Sequence, residues 1–281
     1  MSSDQLVLLA FAAAAVIDWI AVAQERRELE WIAKPAALAL LLLWAATGPA
    51  TSWAVLAALA FSLLGDVYLM LPGNFFVAGL AAFLIGHLFY IDAFTAPLVW
   101  RAVWSVVVLA ASAPIGLRIV GAVPNVPLRG AVVVYMTVIG VMTGSAIAAG
   151  LPIAAAGALI FMASDSMIAW SRFVAPFPGV RVAIIVTYHV GQLLLVHALR
   201  NAVLPLVSLA AVQFGLMLSG SIVIESVFAI NGLGRLAWES LLRSDLPVVQ
   251  AIILILSLIY VTLTTAADLI NAWLDPRLRS A

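Results

Sequence analysis

The chain has 281 residues, of which 65% are hydrophobic and 9% charged, with a formal net charge of zero. Soluble domains carry about 25% charged residues, so this composition excludes an ordinary soluble fold. Zero net charge leaves no electrostatic footprint for nucleic acid, and the absence of cysteine excludes disulfides and thiolate metal sites.

In chain order, apolar stretches of about 20 residues recur near 5–23, 31–47, 50–71, 75–96, 102–121, 128–149, 151–171, 180–198, 203–223 and 248–270. Each is long enough to cross a bilayer as a helix. The expected fold is therefore all-α, a polytopic transmembrane helical bundle of about eight spans plus two further C-terminal spans. The first stretch lacks a basic leader and a small-residue cleavage site, so it reads as a retained helix. Turn signals separate the spans: TGPAT after the second, LPGN after the third, VPNVP after the fifth and APFPG after the seventh. Gly79 and Gly86 lie one heptad apart on the fourth span and predict a close helix crossing there.

Arg26, Arg27, Arg129, Arg172 and Arg181 fall in or beside the loops that follow odd-numbered spans, whereas the opposite side has Arg101 and Arg200. The positive-inside rule puts the odd loops in the cytoplasm and the N-terminus outside. The tail, with Arg277 and Arg279, also asks for the cytoplasm, which an even number of spans forbids.

So few charges make the intramembrane ones easy to name: Asp18, Lys34, Asp66, His87, Asp92, Asp165, His189 and Asp268. An ionisable side chain at bilayer depth costs about 2.5–3.5 kcal/mol on insertion scales, so each is expected to face the bundle interior and to pair or work. Lys34 is the lone lysine; it either snorkels to the interface or aims inward at a carboxylate or a lipid phosphate. Asp66 and Asp165 lie on different spans, with Ser164 and Ser166 flanking Asp165 and with His87 and Tyr90 on one face of the fourth span. Two carboxyl groups close together in a dry site resist ionising together, so one can keep a proton to donate. The same residues also suit a network that only holds helices together. A metal site built from Asp66, His87 and Asp165 lacks any paired-histidine motif, and none is expected. For His189 and Gln192, on one face of the eighth span, interhelical hydrogen bonding is the expected role.

Lys34-Pro35, FSLLGDVYLMLP (61–72), FVAGLAAFLIGHLFY (76–90), FMASDSMIAWSRF (161–173) and TYHVGQLLL (187–195) together resemble the YhhN family of integral membrane proteins, the lysoplasmalogenase group. An aromatic usually stands in that family where this chain has His189, so no role passes to that histidine. The resemblance implies a hydrolase that cleaves the vinyl ether bond of lysoplasmalogens to a fatty aldehyde and a glycerophospho-base, without a cofactor. On that reading Asp66 and Asp165 are the catalytic pair. His87, Tyr90, Ser164, Ser166 and Gln192 support them, and Lys34 meets the substrate phosphate. A lysolipid substrate and membrane lipids are the implied partners, and the bacterial inner membrane the implied location.

The last part is similar to something else. HALRNAVLPLVSLAAVQFG (197–215), ESVFAINGLGR (225–235), DLPVVQ (245–250) and LDPR (274–277) resemble the C-terminal end of dipeptide/oligopeptide ABC permeases. The expected domains are thus 1–195, the eight-helix part, and 196–281, a permease-like fragment of two spans with an intervening loop. Its cytoplasmic coupling loop is incomplete, so an ATPase subunit is not an expected partner. The alternatives are a truncated peptide permease subunit and a non-catalytic lipid-binding protein.

Overall fold

The computed structural model describes residues 3–48, 51–73, 75–200, 212–214, 217 and 223–274, with side chains to 270. The helices are α1 (Ser3–Ala23), α2 (Arg27–Ala46), α3 (Trp53–Met70), α4 (Phe76–Ala93), α5 (Leu98–Ala122), α6 (Val126–Ala148), α7 (Pro152–Phe173), α8 (Val180–Arg200), α9 (Leu233–Leu242) and α10 (Leu246–Leu274). No strand occurs among the described residues, and nine of the helices are long and apolar enough to cross a membrane. This is an all-α, polytopic membrane protein. Most of the expected span 203–223 lies outside the described residues, as does most of the LDPR stretch.

The chain divides into two compact units, Met1–Asn201 and Ala202–Ala281. In the first, consecutive helices pair as hairpins: α1 with α2, α3 with α4, α5 with α6, and α7 with α8. Helix α8 returns to pack on α1, and α4 packs on α6. Apolar attraction is weak between helices in lipid, so close backbone approach through small residues takes over. A Cβ on Gly86 would lie 3.1 Å from the Ala58 carbonyl, and one on Gly79 would lie 2.8 Å from Leu69. The backbones of α7 and α8 approach more closely than those of α3 and α4: a Cβ on Gly191 would meet the Phe161 nitrogen at 2.9 Å. Local signals set the helix starts, with Ser52 accepting from the Val55 amide and Asn125 from the Leu128 amide.

Because the helices alternate in direction, the loops after odd-numbered helices share one end of the bundle. Arg181 pairs with Glu30 at 2.8 Å, tying the starts of α8 and α2 together. The Arg172 guanidinium lies 3.8 Å from the centre of the Phe76 ring, joining the end of α7 to the start of α4. At the opposite end Arg200 is bonded to both carboxylate oxygens of Asp4 and lies over Trp44. Helix α8 therefore runs past the expected boundary at Leu195: Val196 and Leu199 are buried, and His197 stacks on Trp44.

In the second unit a ten-residue helix, α9, stands where a loop was expected. The Glu225 carboxylate accepts the Arg235 amide at 2.9 Å and so caps the start of α9, while Arg235 pairs with Glu239 one turn on. Most side chains of α10 are exposed, Asp268 among them.

Candidate functional site

Six helices of the first unit bring polar side chains into its core, and they form two groups. In the first, Lys34 from α2 pairs with Asp66 Oδ1 from α3 at 2.9 Å, and the Tyr188 hydroxyl from α8 donates to Asp66 Oδ2 at 2.7 Å. The Lys34 ammonium also lies 5.7 Å from the centre of the Tyr188 ring. Of the two readings of Lys34, the inward one holds, and its partner is a carboxylate. The cation expected to meet a substrate phosphate is thus already neutralised by Asp66.

The second group joins α4, α6 and α7. His87 Nε2 lies 2.9 Å from the Tyr135 hydroxyl and 3.4 Å from Asp165 Oδ2, and the Tyr135 hydroxyl donates to the same Asp165 oxygen in a short bond. A hydroxyl that donates to the carboxylate accepts from its other neighbour, so His87 carries its proton on Nε2. Asp165 Oδ1 has no hydrogen-bond partner among the described residues, and the side chain is 9% exposed.

No hydrogen bond joins Asp66 to Asp165; the expected carboxylate pair is two carboxylates with separate partners. Between them stands the Phe161 ring, 5.0 Å from His87 and 5.5 Å from Tyr188 between centres. Asp66 and His87 do not couple either, because Gly86 packs on Ala58 and Ser62, one to two turns along α3 from Asp66. Among the described residues no three His, Asp or Glu side chains converge as a metal site would require.

The supporting residues divide. Tyr90 donates to Gln192 Oε1 at 2.5 Å, deeper than either carboxylate, and Ser164 donates across to the Ile184 carbonyl at 2.9 Å, which ties α7 to α8. Ser166 donates to its own helix at the Met162 carbonyl. His189 accepts from the Trp19 indole at 3.0 Å. Asp18 is fully buried, and neither of its oxygens has a hydrogen-bond partner among the described residues. Asp92, at the end of α4, is exposed rather than buried. Sequence reasoning missed Tyr135 and Tyr188, although a hydroxyl in the middle of an apolar span needs a partner and so carries a signal.

A narrow cavity of about 50 Å³ reaches the second group. Phe76, Phe173 and Ile119 line its outer end, and Tyr135, Ile139 and Asp165 its inner end. Asp165 is eight residues before Phe173 on α7, which puts it about 12 Å below the helix end. A wider cavity of about 660 Å³ between α5 and α7 is lined by Trp104, Ala111, Met162, Met167 and Trp170. Ser166 and Met136 line both cavities, and Asp66 lines neither.

The YhhN family model matches residues 29–199, which contain every member of both groups. The chain is also 43% identical over 86 residues to the metal-staphylopine import system permease protein CntB of Staphylococcus aureus, covering 31% of this chain and 28% of that one. It is 45% identical over 83 residues to the glutathione transport system permease protein GsiC of Escherichia coli, covering 30% and 27%. The chain thus spans under a third of the length of these curated relatives. No solved structure matches. Helical spans and bacterial relatives together place the chain in the bacterial inner membrane. With more than half of its residues under one family model, the chain belongs to the YhhN family.

Proposed function

We propose that the first unit is a membrane hydrolase that cleaves the vinyl ether bond of lysoplasmalogen-type lysolipids. The observation that carries this reading is Asp165, held through one oxygen by Tyr135 and His87, with its other oxygen free beside a cavity. In its neutral form Asp165 gives a proton from Oδ1 to the outer carbon of the vinyl ether. The double-bond electrons form the new C–H bond and leave an oxocarbenium ion, which the resulting carboxylate faces. Water then adds to the cationic carbon and returns its proton to Asp165. The hemiacetal hydroxyl proton passes to the ether oxygen, the bond to glycerol breaks, and a fatty aldehyde and a glycerophospho-base leave. Capture of an oxocarbenium ion by water is a step shared with glycoside cleavage, here served by one carboxyl acting first as acid and then as base.

Tyr135 and His87 fix the carboxyl so that Oδ1 meets the substrate. The cavity of about 50 Å³ reaches Asp165, and the wider one, which shares Ser166 and Met136 in its lining, has room for an alkyl chain. Asp66, lining neither cavity, takes a positioning role: it fixes Tyr188, whose ring packs on Phe161 behind His87. The test is aldehyde release from a vinyl ether lysolipid by purified protein. Asp165→Asn is expected to lower it about 10²–10⁴-fold, the usual worth of a general acid, with the melting temperature retained. Full activity in that variant overturns the assignment.

Import through the second unit is the competing reading, favoured by the identity to two import permeases. Copurification with an ATP-hydrolysing subunit would support it.

A further inference from the structure

With Lys34 held by Asp66, a phosphate-bearing substrate needs another cation, and one stands against each cavity at the basic end of the bundle. Arg172 follows Asp165 by seven residues on α7, which puts it on nearly the same helix face and about 10 Å nearer the basic end of the bundle. Its guanidinium is laid over Phe76 at 3.8 Å and faces Phe173 at 5.9 Å, and both rings line the cavity. Arg118, next in sequence to Ile119 of the narrow cavity, lies 5.8 Å from the centre of the ring of Trp170, which lines the wider cavity. Both arginines are exposed, and among the described residues neither forms an ion pair or a hydrogen bond. Arg129, by contrast, is bonded to the Val123 carbonyl.

Stacking on a ring orients a guanidinium and leaves its donor edge open, the geometry that suits a phosphate. The short glycerol backbone that separates phosphate from ether in a lysolipid matches the descent from Arg172 to Asp165. We propose that Arg172 and Arg118 hold the phosphodiester of the lysolipid at the cavity mouth and set the depth at which the ether meets Asp165. This rests on the lysolipid reading above and names the residues that recognise its head group. Because Arg172 and Arg118 lie at the end that carries most of the basic residues, the substrate enters from the cytoplasmic leaflet.

The test measures binding, so it does not depend on hydrolysis. Protein in maltoside micelles is titrated with an uncleavable 1-O-alkyl lysophosphocholine, with the matching 1-O-alkylglycerol that lacks phosphate, and with glycerophosphocholine and inorganic phosphate, following tryptophan fluorescence. Charge-assisted bonds to phosphate predict that the lysophosphocholine binds about ten- to a hundredfold tighter than the alkylglycerol. Arg172→Gln and Arg118→Gln each reduce that preference, the double variant abolishes it, and Arg129→Gln keeps it. Equal binding of both ether lipids by the unaltered protein, or a preference untouched by the double variant, overturns the proposal. Inorganic phosphate or glycerophosphocholine binding as tightly as the lysolipid overturns it too, since the site is then a plain anion site. Asp165→Asn protein retains the phosphate preference, so failure of the hydrolase reading and failure of this proposal give different results.

Discussion

At the residue scale, the site is a problem of partnering charge and hydroxyl in a medium that supplies no water. Lys34 and Asp66 solve it as an ion pair, 15% and 1% exposed, with Tyr188 completing the carboxylate's bonds. Removing one partner of a buried pair leaves the other uncompensated, at a cost of about 3–5 kcal/mol. Lys34→Met is therefore expected to lower the melting temperature sharply, and Lys34→Met combined with Asp66→Leu to restore most of the loss, as differential scanning fluorimetry would show. A double variant no more stable than the single one would remove the pair from the account. Tyr135→Phe keeps the ring but deletes the bond to Asp165, so aldehyde release should fall while the fold persists. The residues themselves were legible as rare polar groups in apolar spans. Their pairing was not, because which faces of α3, α4, α6 and α7 meet depends on helix rotation, which spacing along one helix does not give. Hence Asp66 and Asp165 read as a couple, although each has its own partners.

At the element scale, the second polar group is held in place by helices that approach through glycine. Gly191 lets α8 press against Phe161, whose ring packs on both His87 and Tyr188. Gly191→Val forces the two helices apart, and overpacking of this kind costs about 1–3 kcal/mol. Both the melting temperature and aldehyde release are expected to fall. Gly130, on α6, faces open space: a Cβ there would have nothing within 4 Å. Gly130→Ala should therefore leave activity unchanged and raise helix stability by up to about 1 kcal/mol. A Gly191→Val protein as active and stable as its Gly130→Ala counterpart would contradict the packing described. Helix positions were legible because the turn signals TGPAT, LPGN and APFPG fall between α2 and α3, α3 and α4, and α7 and α8, and VPNVP runs from the end of α5 into the first turn of α6. The close crossing expected at Gly79 and Gly86 is present, whereas α9 was missed because its amphipathic ten residues are too short for a hydropathy window.

At the scale of the whole molecule, one chain carries a YhhN unit and a permease-like unit. The family change was expected near Leu195, whereas the family match runs to residue 199 and α8 is completed by Arg200, which is bonded to Asp4 and lies over Trp44. A chain ending at Asn201 is expected to fold and to keep aldehyde release, whereas one ending at Leu195 loses the Arg200 pair and the buried Leu199 and should melt lower. The polar groups sit toward the end of the bundle that carries most of the basic residues. The most direct measurement is aldehyde release from a vinyl ether lysolipid by purified full-length protein and its Asp165→Asn variant, side by side. The account predicts release by the first and a loss of about 10²–10⁴-fold in the second, at matched melting temperatures. Equal release by both, or none by the unaltered protein, would contradict it.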